Sequence, residues 1–278
     1  ILMAYIGVDL GGTKISVSKI IGNSCENATR SLIPNEGSEN EILDFIKNAI
    51  SKSIDEDVVA IGIGVPSLVD QRLGIVYDVQ NIPSWKKVYL KDFLENHFNI
   101  PVFVNNDANC FSLGELYFGD RKNLDSFVGL TIGTGIAGGI IINKKLYNGS
   151  NSGAGEFGML PYLDGNFEDY CSGQFFQKIH GIAGEKVFSN AKAGDAEALS
   201  LYSTFGKHLG NLIIQVLYTF DPETIILGGS VSKAYTHFRS GIQLSLNQFA
   251  YQNSISNLKI ILSSDPDISV KGAAALCY

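Results

Sequence analysis

The chain has 278 residues, 45% of them hydrophobic and 18% charged, a balance that permits a sizeable buried core and, by length, about two domains. The net charge is −7 and no cluster of Lys and Arg stands out, which argues against nucleic acid as a partner. No apolar run is long enough to cross a membrane, and the four scattered cysteines (Cys25, Cys110, Cys171, Cys277) lack C-x-x-C spacing, so they read as reduced thiols of a cytoplasmic protein.

Ile1-Leu2 ahead of Met3 reads as a cloning remnant, with no signal peptide after it. Tyr5-Ile6-Gly7-Val8-Asp9-Leu10 reads as a strand and Gly11-Gly12-Thr13-Lys14 as a turn. Residues 15–20 alternate like a second strand, which predicts a hairpin with two glycines at its tip. It is either an ordinary hairpin or a phosphate site. In the second case bare glycines let backbone N–H groups approach an anion, Thr13 adds a hydroxyl and Lys14 a charge. Asp9 could then hold Mg²⁺ through water, since that ion keeps most of its waters. The spacing is not that of the strand–GxxxxGK[ST]–helix phosphate loop.

Residues 41–53 place Ile42, Phe45, Ile46, Ala49 and Ile50 at helical spacing, as in an amphipathic helix facing a core. Residues 58–65 read as a buried strand broken by Gly62 and Gly64, ending in the polar run Pro66-Ser67-Leu68-Val69-Asp70. The loop from Asn81 to Trp85 carries the one tryptophan, expected to be half-buried packing. Residues 100–104 form an apolar strand that stops in Asn105-Asn106-Asp107, and a helical pattern (Phe111, Leu113, Leu116, Tyr117) starts at once. A carboxylate at such a handover either caps the helix or faces a ligand, because ligands of open α/β sheets bind at strand ends.

Residues 126–143 hold two apolar strands around Gly133-Thr134-Gly135 and Gly138-Gly139, matching the first hairpin in chemistry. Two such hairpins, one on each side of Asp107, suggest a duplicated architecture in which each half offers backbone donors to one phosphate chain. Glu156 and Glu168 lie in glycine-rich loops and read on their own as solvated acids; the second loop leads into a helix at Gln174. Residues 195–220 form one long helical pattern with Leu199, Tyr202, Phe205, Leu209, Leu212, Ile213, Val216 and Leu217 facing inward, stopped by Asp221-Pro222. A strand at 224–227 runs into Gly228-Gly229-Ser230, either a tight turn or an approach for a flat adenine ring. A last strand at 258–262 precedes a small-residue helix at 267–276, suited to close packing.

Taken together, these residues resemble the ROK family (repressors, open reading frames and sugar kinases) of the actin/hexokinase superfamily, over nearly the whole chain and in family order. Asp9 through Lys14 resembles the first phosphate motif and Gly133-Thr134-Gly135 the second. Gly64-Val65-Pro66 through Asp70, and Asn81 through Trp85, are similar to sugar-domain loops. Asn106-Asp107-Ala108-Asn109 resembles the catalytic-base motif, and Leu227-Gly228-Gly229 the adenosine motif. Gly155-Glu156-Phe157-Gly158 and Glu168 through Gly173 resemble the sugar-binding acids.

The resemblance implies an α/β fold of two RNase H-like, actin/hexokinase-type lobes with a central cleft. Residues 1–107 with 265–278 would form the smaller N-terminal lobe, and residues 108–264 the larger C-terminal lobe. It implies an ATP- and Mg²⁺-dependent sugar kinase of glucokinase type, acting on the 6-hydroxyl of glucose or a related aldohexose with Asp107 as general base. Gly11, Gly12, Thr13, Lys14, Gly133, Thr134, Gly135, Gly228 and Gly229 would bind ATP, and Asp9 would place Mg²⁺ through water. Ser67, Asn106, Asp107, Glu156 and Glu168 would bind the sugar. A homo-oligomer is expected by the same analogy. Alternatives within the fold are a kinase for an N-acetylhexosamine or fructose, and a non-catalytic sugar-binding sensor.

In one place the sequence departs from the family. Most members carry a His just after Glu-x-Gly and then a Cys-x-Cys-Gly-x-x-Gly-Cys zinc module. Here Met159 stands at or beside the His position, or the His is deleted, and residues 160–167 contain no cysteine. Met is a poor zinc ligand beside oxygen and nitrogen donors, so no structural zinc is expected. Repressor members add an N-terminal helix-turn-helix domain and often degrade the ATP motifs. This sequence starts at the first strand with both Gly-Thr motifs intact, which favours an enzyme.

Overall fold

The computed structural model of the chain describes residues 3–120 and 123–278; Ile1 and Leu2, read above as a cloning remnant, lie outside them. The chain begins with β1 (Ala4–Leu10), β2 (Lys14–Ile21), β3 (Ser24–Leu32), α1 (Glu39–Ser51) and β4 (Val58–Val65). Then come β5 (Leu68–Asp70), β6 (Ile75–Tyr77), β7 (Lys87–Tyr89), α2 (Leu90–Phe98), β8 (Val102–Asn106) and α3 (Asp107–Tyr117). The middle carries β9 (Phe127–Ile132), β10 (Ile136–Ile142), β11 (Lys145–Tyr147), β12 (Pro161–Tyr162), β13 (Gly165–Asn166), α4 (Phe167–Cys171) and α5 (Gly184–Lys192). Last come α6 (Ala196–Phe220), β14 (Thr224–Gly228), α7 (Tyr235–Leu246), α8 (Gln252–Asn257), β15 (Lys259–Leu262) and α9 (Ile268–Ala274). The chain divides into two compact units. The first holds Ile1–Asp125, Gly139–Ala154 and Ser263–Tyr278; the second holds Ser126–Gly138 and Gly155–Leu262.

The first unit is built on a mixed sheet in the order β3-β2-β1-β4-β8. β1, β4 and β8 run parallel, and β2 and β3 are antiparallel additions at one edge. β3 (SCENATRSL) carries no apolar run, and as an edge strand it is largely exposed, which is why it is absent from the hydrophobic pattern. α1 starts two residues before its first expected residue because Ser38 and Glu41 form a capping box there. Its Ile42, Ile46 and Ile50 share one core with Ile6, Val8, Ile61 and Ile63. Trp85 belongs to the same core and is fully buried, not half-buried, because its loop folds under with Leu90 and Leu94 of α2.

β4 also runs unbroken through Gly62 and Gly64, where a break was expected. Those glycines allow contact rather than bending. A Cβ on Gly62 would lie 1.8 Å from the carbonyl oxygen of Ala273, and one on Gly7 would lie 2.0 Å from that of Val270. α9 therefore rests backbone-first on the sheet. It meets α3 the same way: a Cβ on Gly272 would lie 1.7 Å from the Cys110 carbonyl oxygen, and one on Gly114 2.1 Å from that of Ile268. α3 thus sits in the first unit with α9, whereas the sequence-based division began the second lobe at residue 108.

In the second unit β14 lies between β9 and β15 and is parallel to both. β10 follows β9 around the Gly133-Thr134-Gly135 tip and leaves the unit after Gly138; its residues 140–142 pair with β11 within the first unit. α6 buries Ala198, Tyr202, Phe205 and Leu209 at four-three-four spacing. Leu199, one residue off that stripe, is 36% exposed rather than inward-facing. Gly206 and Gly241 let α6 and α7 touch through their backbones, since a Cβ on either would come within 2.1 Å of a carbonyl oxygen of the other helix. Among the described residues no helix is long and apolar enough to cross a membrane.

Gly62→Ala sets a methyl group against the Ala273 carbonyl and is expected to cost about 1–3 kcal/mol or more of stability. Urea denaturation measures it, and an unchanged midpoint would mean that α9 does not rest on β4.

Candidate functional site

In the first unit three parallel strands end side by side. Asp9 of β1 pairs in register with Gly64 of β4, and Gly64 pairs with Asn105 of β8. Gly64 leaves room for the start of α3: a Cβ there would lie 3.0 Å from Cys110 Sγ and 3.3 Å from the Cα of Asp107. Asp9 and Asp107 are thus gathered beside one bare glycine, around a buried thiol. Burial, and then the charges of Asp9 and Asp107, push the Cys110 thiol well above its usual range. Asp9 itself is raised to about 6, by burial first, with the Arg30 guanidinium pulling the other way. Arg30 reaches this position through the sheet, since Asp9 pairs with Ser16 and Ser16 with Arg30.

Asn106 is the N-cap of α3. Its side-chain oxygen accepts from Ala108 N–H at 2.9 Å and Asn109 N–H at 3.3 Å, and its Nδ2 donates to the Ser67 carbonyl at 3.4 Å. Asp107 is the first residue of the helix, at the positive end of the helix dipole, and one of its oxygens accepts from Ala108 N–H at 2.8 Å. The two side chains thus share the Ala108 N–H at the start of the helix. Ser67 follows β4, and its hydroxyl donates to the Tyr77 carbonyl.

Behind the cap lies an amide network that sequence reasoning missed. Asn105 Nδ2 donates to Asn148 Oδ1 at 3.0 Å, and Asn109 Nδ2 donates to Asn105 Oδ1 at 3.0 Å. It ties the loop after β11 to the strand end. The only signal for it was the unusual density of Asn in both stretches. At the first glycine tip, Gly11 N–H donates to the Lys14 carbonyl at 2.9 Å, while Thr13 and Lys14 are exposed. Asn81 lies over Gly12, where a Cβ would fall 2.5 Å from its Nδ2.

The second unit gathers the remaining predicted residues. Gly133 N–H donates to the Gly135 carbonyl at 2.9 Å, and Gly173 N–H to the Gly133 carbonyl at 2.7 Å; Thr134 at the tip is exposed. Gly228 ends β14. Gly229 adopts φ 84°, and a Cβ there would lie 2.3 Å from the Ile132 carbonyl oxygen, so this turn sits against the same strand end. Glu168 is not a solvated loop acid. It lies on α4, and its oxygens accept from Ile136 N–H at 3.2 Å and Gln174 Nε2 at 3.3 Å. Gly135 also lies against it, since a Cβ there would be 2.4 Å from Glu168 Oε2. The turn after it, Phe175–Ile179, is a π-helix. Glu156 precedes a 3₁₀ turn, Phe157–Met159, beside Glu168. Burial raises both carboxyls; at Glu156 the charge of Glu168 adds to it, and at Glu168 the Ile136 N–H opposes it.

Where the family's zinc module would fall, the chain has the β12–β13 hairpin, whose residues 160–166 contain no His or Cys. These residues do not fit a zinc ion. Among the described residues no group of three or more His, Cys, Asp or Glu side chains could hold a metal ion. Asp9, half-buried, fits a different demand: an ion that keeps most of its water needs few carboxylates.

The sequence profile of the ROK family matches residues 5–278. The chain is 31% identical to a glucokinase of Halalkalibacterium halodurans, over 83% of this chain and 81% of that protein. It is 29% identical to a beta-glucoside kinase of Listeria monocytogenes, over 91% of each. Its fold is similar to the crystal structure of a ROK family glucokinase from Streptomyces griseus in complex with glucose and AMPPNP, with a TM-score of 0.86, 27% identity and 98% of each chain covered.

Asp9→Asn removes a group that folding makes harder to ionise. The native state holds the Asp9 proton to about pH 6, against 3.8 ordinarily, so this residue's contribution to stability falls as pH rises through that window. The variant is expected to be more stable than wild type at pH 7, by at most about 3 kcal/mol, with the gain vanishing below about pH 4. Denaturation at the two pH values checks this. Elemental analysis of the purified protein is expected to find well under one zinc per chain.

Proposed function

Because this chain belongs to the ROK family, we propose that it transfers the γ-phosphoryl group of ATP to a hexose, at the 6-hydroxyl of glucose or a related aldohexose. The observation that carries the reading is the placement of Asp107 at the start of α3, against Gly64 and in company with Asp9. Asp107 accepts the proton of the sugar hydroxyl as its oxygen bonds to phosphorus and the bond to the ADP oxygen breaks. A carboxylate suffices as base, because phosphoryl transfer is mostly positioning and charge stabilisation. Asn106, Ser67, Glu156 and Glu168 hold sugar hydroxyls, and a sugar lacking one leaves a buried acceptor without its donor.

Backbone N–H groups at Gly11, Gly12, Thr13 and at Gly133, Thr134, Gly135 bind the phosphates, with Lys14 adding charge and Gly228-Gly229 meeting the adenosine. Mg²⁺ bound with the nucleotide would offset phosphate charge, and Asp9 is the residue that would hold it through water. The transfer requires Asp107 and both glycine tips to act on one pair of substrates; the two-lobed cleft and the homo-oligomer expected from the resemblance are part of the proposal.

A coupled ADP-release assay over hexoses, N-acetylhexosamines, fructose and beta-glucosides tests the reading and names the sugar. Sugar binding without ADP release would turn the assignment to a non-catalytic sensor. Asp107→Asn is expected to lower kcat by about 10²- to 10⁴-fold while calorimetry still finds sugar binding. Near-wild-type turnover of every accepted sugar would remove Asp107 from the role of base.

A further inference from the structure

The segment joining Glu156 to Glu168 folds into a hairpin in which Tyr162 makes contacts to both α4 and α6. In its hairpin Pro161 pairs with Asn166 and Tyr162 with Gly165, and Phe167 N–H donates to the Leu160 carbonyl at 3.1 Å. The Tyr162 ring stacks on Phe167, with centroids 4.1 Å apart and planes 13° from parallel. Its hydroxyl accepts from Asn211 Nδ2 at 2.8 Å and lies 3.0 Å from His208 Nδ1, both residues being on α6. With the amide occupying a lone pair, the phenol O–H is left to donate to the ring nitrogen. Burial, with the nearby His180 and Lys207, lowers the His208 pKa and so favours the neutral imidazole, the form able to accept.

The contacts continue to the acids. Phe167 is followed directly by Glu168, whose oxygens take the Ile136 and Gln174 donors. Gly158, two residues after Glu156, lies against the same side chain: a Cβ on Gly158 would fall 3.4 Å from Glu168 Cβ. A line of contacts thus runs from α6 through Tyr162, Phe167 and Glu168 to the Glu156 turn, all inside the second unit. No residue of the hairpin is a Cys or His, and backbone pairing, the Tyr162 hydrogen bonds and ring packing close it.

We propose that Tyr162 is a positioning residue: clasped to His208 and Asn211 and stacked on Phe167, it fixes Glu156 and Glu168 in the mutual placement that takes sugar hydroxyls. The sugar-holding role of the two acids rests on the kinase reading above; the clasp itself does not. Tyr162→Phe keeps the stack and loses the hydroxyl, whereas Tyr162→Ala loses both.

The expected result is a sugar KM raised about threefold in the first variant and about tenfold or more in the second, with the ATP KM within about twofold of wild type. Hydrogen exchange is expected to quicken across residues 157–171 and to stay unchanged in the first unit. An unchanged sugar KM in both variants, or an ATP KM rising in step with it, overturns the positioning role. If the wild type turns over no sugar, the kinase reading fails, and exchange still decides the clasp: unchanged protection in residues 157–171 overturns it.

Discussion

The first unit depends on backbones that touch. α9 presses on β1 and β4 at Gly7 and Gly62, and on α3 at Gly114, with its own Gly272 meeting Cys110. Each of these contacts is closer than any Cβ permits, so no conservative repacking replaces it. The spacing they set carries forward. α3 is placed by α9 on one side and by Gly64 on the other, and α3 begins with Asp107. The geometry of the carboxylate therefore depends on backbone contacts made as far along the chain as α9.

A second constraint is the cost of holding acids out of water. Burial raises Asp9, Glu156 and Glu168 alike. The fold offsets this unequally. Glu168 receives a backbone N–H and an amide, whereas Asp9 has the Arg30 charge across two strands. Carboxylates left in this condition lower the stability of the fold as pH rises and they ionise, and a neighbouring positive charge or hydrogen-bond donor offsets that cost.

The sequence makes the handover at Asn105-Asn106-Asp107 legible, because an apolar run, a polar stop and a helical period follow one another within a few residues. The glycine tips were legible because each stands between two apolar strand patterns. What was lost needed partners far along the chain. Gly62 and Gly64 read as strand breakers because nothing local shows that Ala273 and Cys110 lie above them. The lobe boundary was drawn at residue 107 because the α3–α9 contact joins segments some 150 residues apart. Glu168 read as solvated because its donors come from Ile136 and Gln174, on other elements. Leu199 read as inward-facing, whereas the helical period puts Ala198 on the buried stripe.

The seat for α9 has a consequence in time. The sheet strands, α3 and the glycines that receive α9 all lie in the first 117 residues, but α9 itself starts at Ile268. As the chain is made, the first unit is the first begun and the last completed, with the whole second unit synthesised before the seat can be filled. Until then Gly7 and Gly62 face an empty groove and α3 lacks one of its two walls. The carboxylate at its start gains its final setting only after the second unit has been made.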